Sequence, residues 1–143
     1  MKPKDVAQKW FDEVWNKKNI AMITELSDPS ACGAGESCSI NEPEEFKRLV
    51  FLPMVSAFPD VRLAIDGLVA EGDEVVVRWT ASATHEGALG NIPPSGRRVR
   101  FTGMTWLKIP EGKIVEAMDS YNHHGLLEYL ATGTENASVR KGD

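Results

Sequence analysis

At 143 residues the chain has the length of one domain on the usual scale of ~100–200 residues, with enough apolar residues (42 %) to bury a core without disulfides or metals. Its 26 % charged residues and mixed composition exclude wholesale disorder. A net charge of −5, with no basic cluster besides Arg97, Arg98 and Arg100, argues against a nucleic-acid partner. The longest uncharged run, Leu49 to Pro59, is far shorter than the ~20 apolar residues of a membrane span, so no membrane association is expected. The first residues, MKPKDVAQKW, lack the apolar run of a signal peptide, which points to the cytoplasm.

In chain order, Val6, Trp10, Phe11 and Val14 recur at helical spacing, and Ile20, Ile23 and Leu26 predict a short second helix ending near Asp28-Pro29. Ser30 to Ile40 reads as a small-residue loop, with a short strand around Cys38 as the alternative. It holds the only cysteines, Cys32 and Cys38, expected to be free thiols. A zinc site would bring a Cys/His quartet, and none is present. Asn41-Glu42-Pro43-Glu44 predicts a third helix, with Asn41 as N-cap and Pro43 in its first turn. Phe46, Leu49, Val50, Met54, Ala57 and Phe58 follow on one face, Pro53 predicts a kink, and Pro59-Asp60 a stop.

From Val61 the period changes to two. Strands are predicted from Val61, over Glu74 to His85, Arg98 to Ile109 and Lys113 to Asn122, with turns at Glu71-Gly72-Asp73 and Pro110-Glu111-Gly112. His124 to Leu130 predicts a terminal helix, and a polar tail from Ala131 is expected to fray. Asn136-Ala137-Ser138 matches a glycosylation sequon, which carries no meaning without a secretory signal. Helices followed by long antiparallel strands indicate one α+β domain over residues 1–143, its helices packed on one face of a strongly curved sheet.

Several stretches resemble the SnoaL-like polyketide cyclases: Ala57-Phe58-Pro59-Asp60; Thr84-His85-Glu86-Gly87 with Gly90-Asn91-Ile92-Pro93-Pro94-Ser95-Gly96-Arg97; Gly112-Lys113-Ile114-Val115-Glu116; and Asn122-His123-His124-Gly125-Leu126-Leu127. The likeness covers about residues 5 to 130. It implies the cone-shaped α+β barrel shared with ketosteroid isomerase and nuclear transport factor 2, an apolar cavity between sheet and helices, and a homodimer. It also implies an Asp acting as general acid and base in an aldol ring closure, with no metal or cofactor. The family pattern, Glu-x-Trp-x-x-x-Asp-x-x-Gly-Leu-Leu, falls here on Glu116, Met118 and Asn122, so Met replaces Trp and Asn replaces the catalytic Asp.

A carboxamide offers hydrogen bonds but no basic lone pair, so the proton chemistry is not assigned to Asn122. Its amide would hold a substrate carbonyl or enolate, or else cap a strand end. Strand parity places Glu116, Met118 and Ser120 on its side. Glu116 is then either a desolvated base or a partner of Arg78 or Arg100. Asp119, on the opposite parity, is expected at the surface or a dimer interface. His85 is the second acid/base candidate, with loop fixing through a backbone carbonyl as the alternative. At most one of His123 and His124 reaches the cavity.

The cavity lining is predicted as Trp10, Val14, Met54, Phe58, Met104, Trp106 and Met118, suited to a small hydrophobic molecule. The outward strand faces predict a sheet-to-sheet homodimer. Two functions fit: a cofactor-free cyclase or isomerase acting on a hydrophobic carbonyl compound, and a non-catalytic ligand-binding or assembly module.

Overall fold

A computed structural model describes residues 1–34 and 39–143. Helix α1 (Pro3–Lys9) starts on a proline, whose missing N–H costs nothing at that position, and carries Asp5 against the positive end of its dipole. It runs directly into a π-helical stretch, Trp10–Asn16, in which Lys17 N–H reaches back to Asp12 O at 3.1 Å. Val6, Ala7, Trp10, Phe11 and Val14 are buried along this unit. Asn16 then takes the place of a strand partner: its Oδ1 accepts from Leu63 N–H at 2.8 Å and its Nδ2 donates to Leu63 O at 3.0 Å. Helix α2 (Ala21–Leu26) follows.

Ser27–Ala34 is strand β1, where a loop was expected, and Ser39–Asn41 is β2. Asp28-Pro29 fits a strand here because β1 runs parallel to its neighbour with a register shift between Ser27 and Cys32. Cys32 is an exposed free thiol, while Cys38 lies outside the described residues.

Helix α3 (Pro43–Phe46) is capped differently from the expectation. Glu42, at φ +77°, holds the N-cap position, and Glu45 Oε1 accepts from Asn41 N–H at 3.3 Å. A second π-helical stretch, Lys47–Phe51, connects it to α4 (Leu52–Ala57). The proline effect therefore takes the form of a widened turn: Pro53 has no N–H to give Leu49 O, and its ring crowds that carbonyl.

The remaining strands are β3 (Arg62–Glu71), β4 (Glu74–Thr84), β5 (Arg98–Lys108), β6 (Ile114–Tyr121) and β7 (Val139–Lys141). Helix α5 (His123–Thr132) lies between β6 and β7. The sheet runs β2-β1-β6-β5-β4-β3, and β7 joins β5 at Val99–Phe101, where the β6 pairing has ended. All pairs are antiparallel except β1 with β6. The sheet is curved, with β2 and β3 as edges, so it is not a closed barrel.

The tail also departs from expectation. Asn136 Oδ1 accepts from Ser138 and Val139 N–H, both at 3.0 Å, and this turn delivers β7 to the sheet rather than leaving the terminus frayed. Val75, Val77, Trp79, Ala81 and Ala83 of β4, with Val99, Phe101 and Leu107 of β5, form the inner face beneath the helices. No helix among the described residues is long and apolar enough to cross a membrane.

Candidate active site

The helix-covered side of the sheet holds a partly open cavity of about 60 Å³. Phe11 and Trp15 of the first π-helical stretch, Val50 of the second and Met54 of α4 form its helical wall. Val61, Leu63, Trp79, Ala81, Phe101 and Tyr121 supply the sheet side, and the polar side chains set among them are Thr105 and Asp119. Widened helical turns recur at functional sites, and here both contribute lining residues.

Asp119 is the chemically distinctive group. It is half-buried, but protein surrounds its carboxyl and the resulting desolvation raises its pKa above the ordinary carboxylate range. One hydrogen bond works in the opposite sense: Thr105 Oγ1 donates to Asp119 Oδ1 at 2.6 Å. Thr105 itself accepts from Trp79 Nε1–H at 2.9 Å. Gly103 makes this seat possible, because a Cβ there would lie 2.5 Å from Trp79 Cζ2. Tyr121 packs against Trp79 and Phe101 at ring separations of 6.2 and 5.7 Å, and its hydroxyl is 2.8 Å from His123 Nδ1.

The parity of β6 is thus opposite to the expected one. Ala117, Asp119 and Tyr121 turn inward, whereas Glu116, Met118 and Ser120 are exposed on the outer face. Met104, Trp106 and Met118, expected in the cavity, are 52 %, 52 % and 54 % exposed. Trp106 and Met118 pair directly across β5 and β6, and Trp106 Nε1 donates to Glu74 Oε1. Glu116 therefore faces away from the cavity. Its cross-strand partner is Lys108, not Arg78 or Arg100.

Asn122 is the N-cap of α5. Its Oδ1 accepts from Gly125 N–H at 2.8 Å, and Gly125 is required because a Cβ there would sit 2.4 Å from Asn122 Nδ2. Asn122 also borders an open groove of about 550 Å³ on the outer face, with Arg78, Met104 and Asp66. That groove is larger than the cavity, but its carboxylate, Asp66, is exposed and accepts from Thr80 Oγ1. The helix-covered cavity is the better chemical candidate for that reason.

Of the other predicted lining residues, Met54 lies in the cavity wall. Trp10, Val14 and Phe58 belong to the core; Trp10 packs on Phe46, and Phe58 on His85 and Phe101. His85 is fully buried away from Asp119. Its Nδ1 accepts from Ser95 N–H at 3.1 Å and lies 2.8 Å from Ser95 Oγ, while Nε2 has no hydrogen-bond partner. Desolvation lowers its pKa, opposed by the Gly87 backbone. It fixes the loop through the N–H and hydroxyl of Ser95, with the Gly87 backbone beside its ring. His124 is exposed, 3.9 Å from Glu128. Among the described residues no group of three or more His, Cys, Asp or Glu is placed to hold a metal ion.

The missed residues are Asp119 and Thr105. The signal that finds Thr105 is its parity with Val99, Phe101 and Leu107, all buried. Thr105 pairs with Asp119 across the sheet, so its parity carries Asp119 inward as well.

Comparison with known proteins agrees with this architecture. No curated protein matches the chain. AclR from Streptomyces galilaeus, provisionally assigned as a hydroxylase, is 28 % identical and superposes with a TM-score of 0.79 over 90 % of this chain and 80 % of its own. A SnoaL-like polyketide cyclase, provisionally assigned, from Jannaschia sp. CCS1 reaches a TM-score of 0.83 at 18 % identity, covering 93 % of each chain. IdmH from Streptomyces antibioticus, provisionally assigned as a polyketide cyclase, reaches 0.79 at 23 % identity, over 91 % of this chain and 99 % of its own. The sequence profile of one family matches residues 5–130. This chain belongs to the SnoaL-like polyketide cyclases.

Proposed function

We propose that this protein is a cyclase- or isomerase-type enzyme that moves a proton on a small, neutral, hydrophobic carbonyl compound, with Asp119 as the acid/base group. The observation that supports this is a desolvated carboxyl in an aromatic-walled cavity, held by one hydrogen bond from Thr105. As a carboxylate, Asp119 takes a proton from the carbon next to the carbonyl, leaving an enolate and a neutral acid. In an isomerisation the acid returns that proton to another carbon of the delocalised system. In an aldol closure the enolate carbon attacks a second carbonyl, and the acid protonates the alkoxide that forms. Both cycles regenerate the carboxylate and consume nothing else.

No Lys, Arg or His among the described residues lines the cavity, so an anionic substrate would find no countercharge from them. Its 60 Å³ is about the share of two water molecules. A ring-sized substrate therefore displaces Met54, Val50 or Trp15. The small volume is also what favours the second reading, a non-catalytic binding module of the same fold.

Deuterium incorporation next to the carbonyl of small cyclic ketones in heavy water separates the two. The enzyme reading predicts exchange above background, reduced about 100-fold or more by Asp119→Asn and kept by Asn122→Ala. Exchange indifferent to Asp119→Asn would refute it, and ligand binding without exchange would favour the binding module.

We also infer that the outer face of the sheet receives a second copy of the chain. Its cross-strand rows are graded. Glu71, Glu74, Lys108 and Glu116 form one row, and Val69, Val76, Trp106 and Met118 the next. At the far end Arg62, Ser82, Arg100 and Arg140 form a basic row. A twofold-related copy lays acidic on basic rows at both ends and covers the apolar belt between them.

A further inference from the structure

The polar groups at the cavity are arranged so that their hydrogen bonds run in one direction, which reaches beyond naming Asp119 as the acid/base group while resting on that reading. An indole N–H only donates. Trp79 Nε1–H, 2.9 Å from Thr105 Oγ1, therefore occupies an acceptor position of that hydroxyl. Thr105 has one hydroxyl proton, and Asp119 Oδ1 stands 2.6 Å away to receive it. The chain is held tightly at each member: Trp79 and Thr105 are 5 % and 3 % exposed, and the indole fills the space that Gly103 leaves open. Trp79 also packs edge-on to Phe101 at 5.9 Å, which opposes its rotation.

We propose that Trp79 and Thr105 are positioning residues whose one-way hydrogen-bond chain commits Asp119 Oδ1 to accepting, so that Oδ2 alone carries the carboxyl proton and exchanges it with the substrate. The consequence is a fixed delivery point. A free carboxyl would hold its proton on either oxygen, whereas here the proton has a single address for both abstraction and return. Placement of this kind removes the need to reorient the acid between the two halves of a reaction. Other titratable groups do not blur this assignment. The helical wall (Phe11, Trp15, Val50, Met54) and the β3–β4 wall (Val61, Leu63, Trp79, Ala81) contain none. Among the described residues of β5 and β6 the other titratable group at the cavity is Tyr121, whose hydroxyl meets His123.

Infrared spectroscopy of the protonated carboxyl tests the chain without requiring a substrate. Asp119 is identified as the C=O band lost in Asp119→Asn. The wild type should give one band. Thr105→Val removes the hydrogen bond to that C=O, moving the band to higher wavenumber and its titration midpoint up by about one pH unit. Thr105→Ser should restore both. Trp79→Phe frees the hydroxyl to donate or accept, so the single band should split as the proton populates both oxygens. Trp79 is a core residue, and the Thr105 pair is sufficient by itself should Trp79→Phe fail to fold. A band identical in wild type and Thr105→Val, or a folded Trp79→Phe variant with one unchanged band, overturns the chain while leaving Asp119 as the acid/base group. Absence of any Asp119 band across the titration overturns that reading and the chain with it.

Discussion

Asp119 destabilises the fold it serves. Its pKa is raised in the folded protein, so between the unfolded value, near 4, and the folded one the native state holds a proton that the unfolded chain releases. Stability from this group is intact below the unfolded pKa and declines as pH rises through the folded pKa. Asp119→Asn removes the charge and the decline together. Relative to wild type, its melting temperature should therefore rise as pH increases above about 4 and level off once Asp119 has ionised in the folded protein. Thermal denaturation across that range checks it, and a constant offset between the two proteins would contradict it. Gly103 makes a second residue-scale case. In Gly103→Ala the new methyl meets the Trp79 ring and the Ser120 carbonyl, 2.5 and 2.8 Å from the Cβ position. A loss of about 1–3 kcal/mol, typical of overpacking, is expected in denaturant unfolding, with a changed Trp fluorescence.

At the scale of elements, the β6–α5 junction separates a structural from a chemical role. Asn122 stops the strand and caps α5, so Asn122→Ala should cost about 1 kcal/mol through the lost bond to Gly125 N–H. Ligand affinity in the cavity should be unchanged, as titration calorimetry would establish; a large affinity loss would return Asn122 to the site. The helices, the strands β3 to β6 and the turns between them were legible in residue order because apolar spacing and Gly/Pro punctuation dominate there. The facing of β6 was not. It was read from the position of Asn122, which lies past the strand as the N-cap of α5, so strand parity carried back from it selects the wrong side, and the groups that do point inward include a carboxylate. Functional sites break local pattern in this way. The β1 strand and the β7 tail were also hidden. Each is specified by its pairing, with β6 and with β5, rather than by its own sequence.

For the whole molecule, the graded outer face sets the assembly prediction. Trp106→Glu puts a charge into the apolar belt and should convert a dimer to a monomer at micromolar concentration in analytical ultracentrifugation. Two further variants probe the rows: Arg100→Glu with Arg140→Glu, and Glu74→Lys with Glu116→Lys. Each alone should be monomeric, and their mixture should form a heterodimer that weakens with salt. A wild-type monomer, or a dimer untouched by these changes, would place the contact elsewhere or nowhere. The same curvature that exposes this face outward closes the cavity inward and sets Asp119 beneath the helices. That carboxyl is the central claim, and carbon-13 NMR titration of the aspartate side chains tests it most directly. The account predicts one carboxyl titrating well above all the others, absent from Asp119→Asn. Every aspartate titrating in the ordinary range near pH 4 would contradict it.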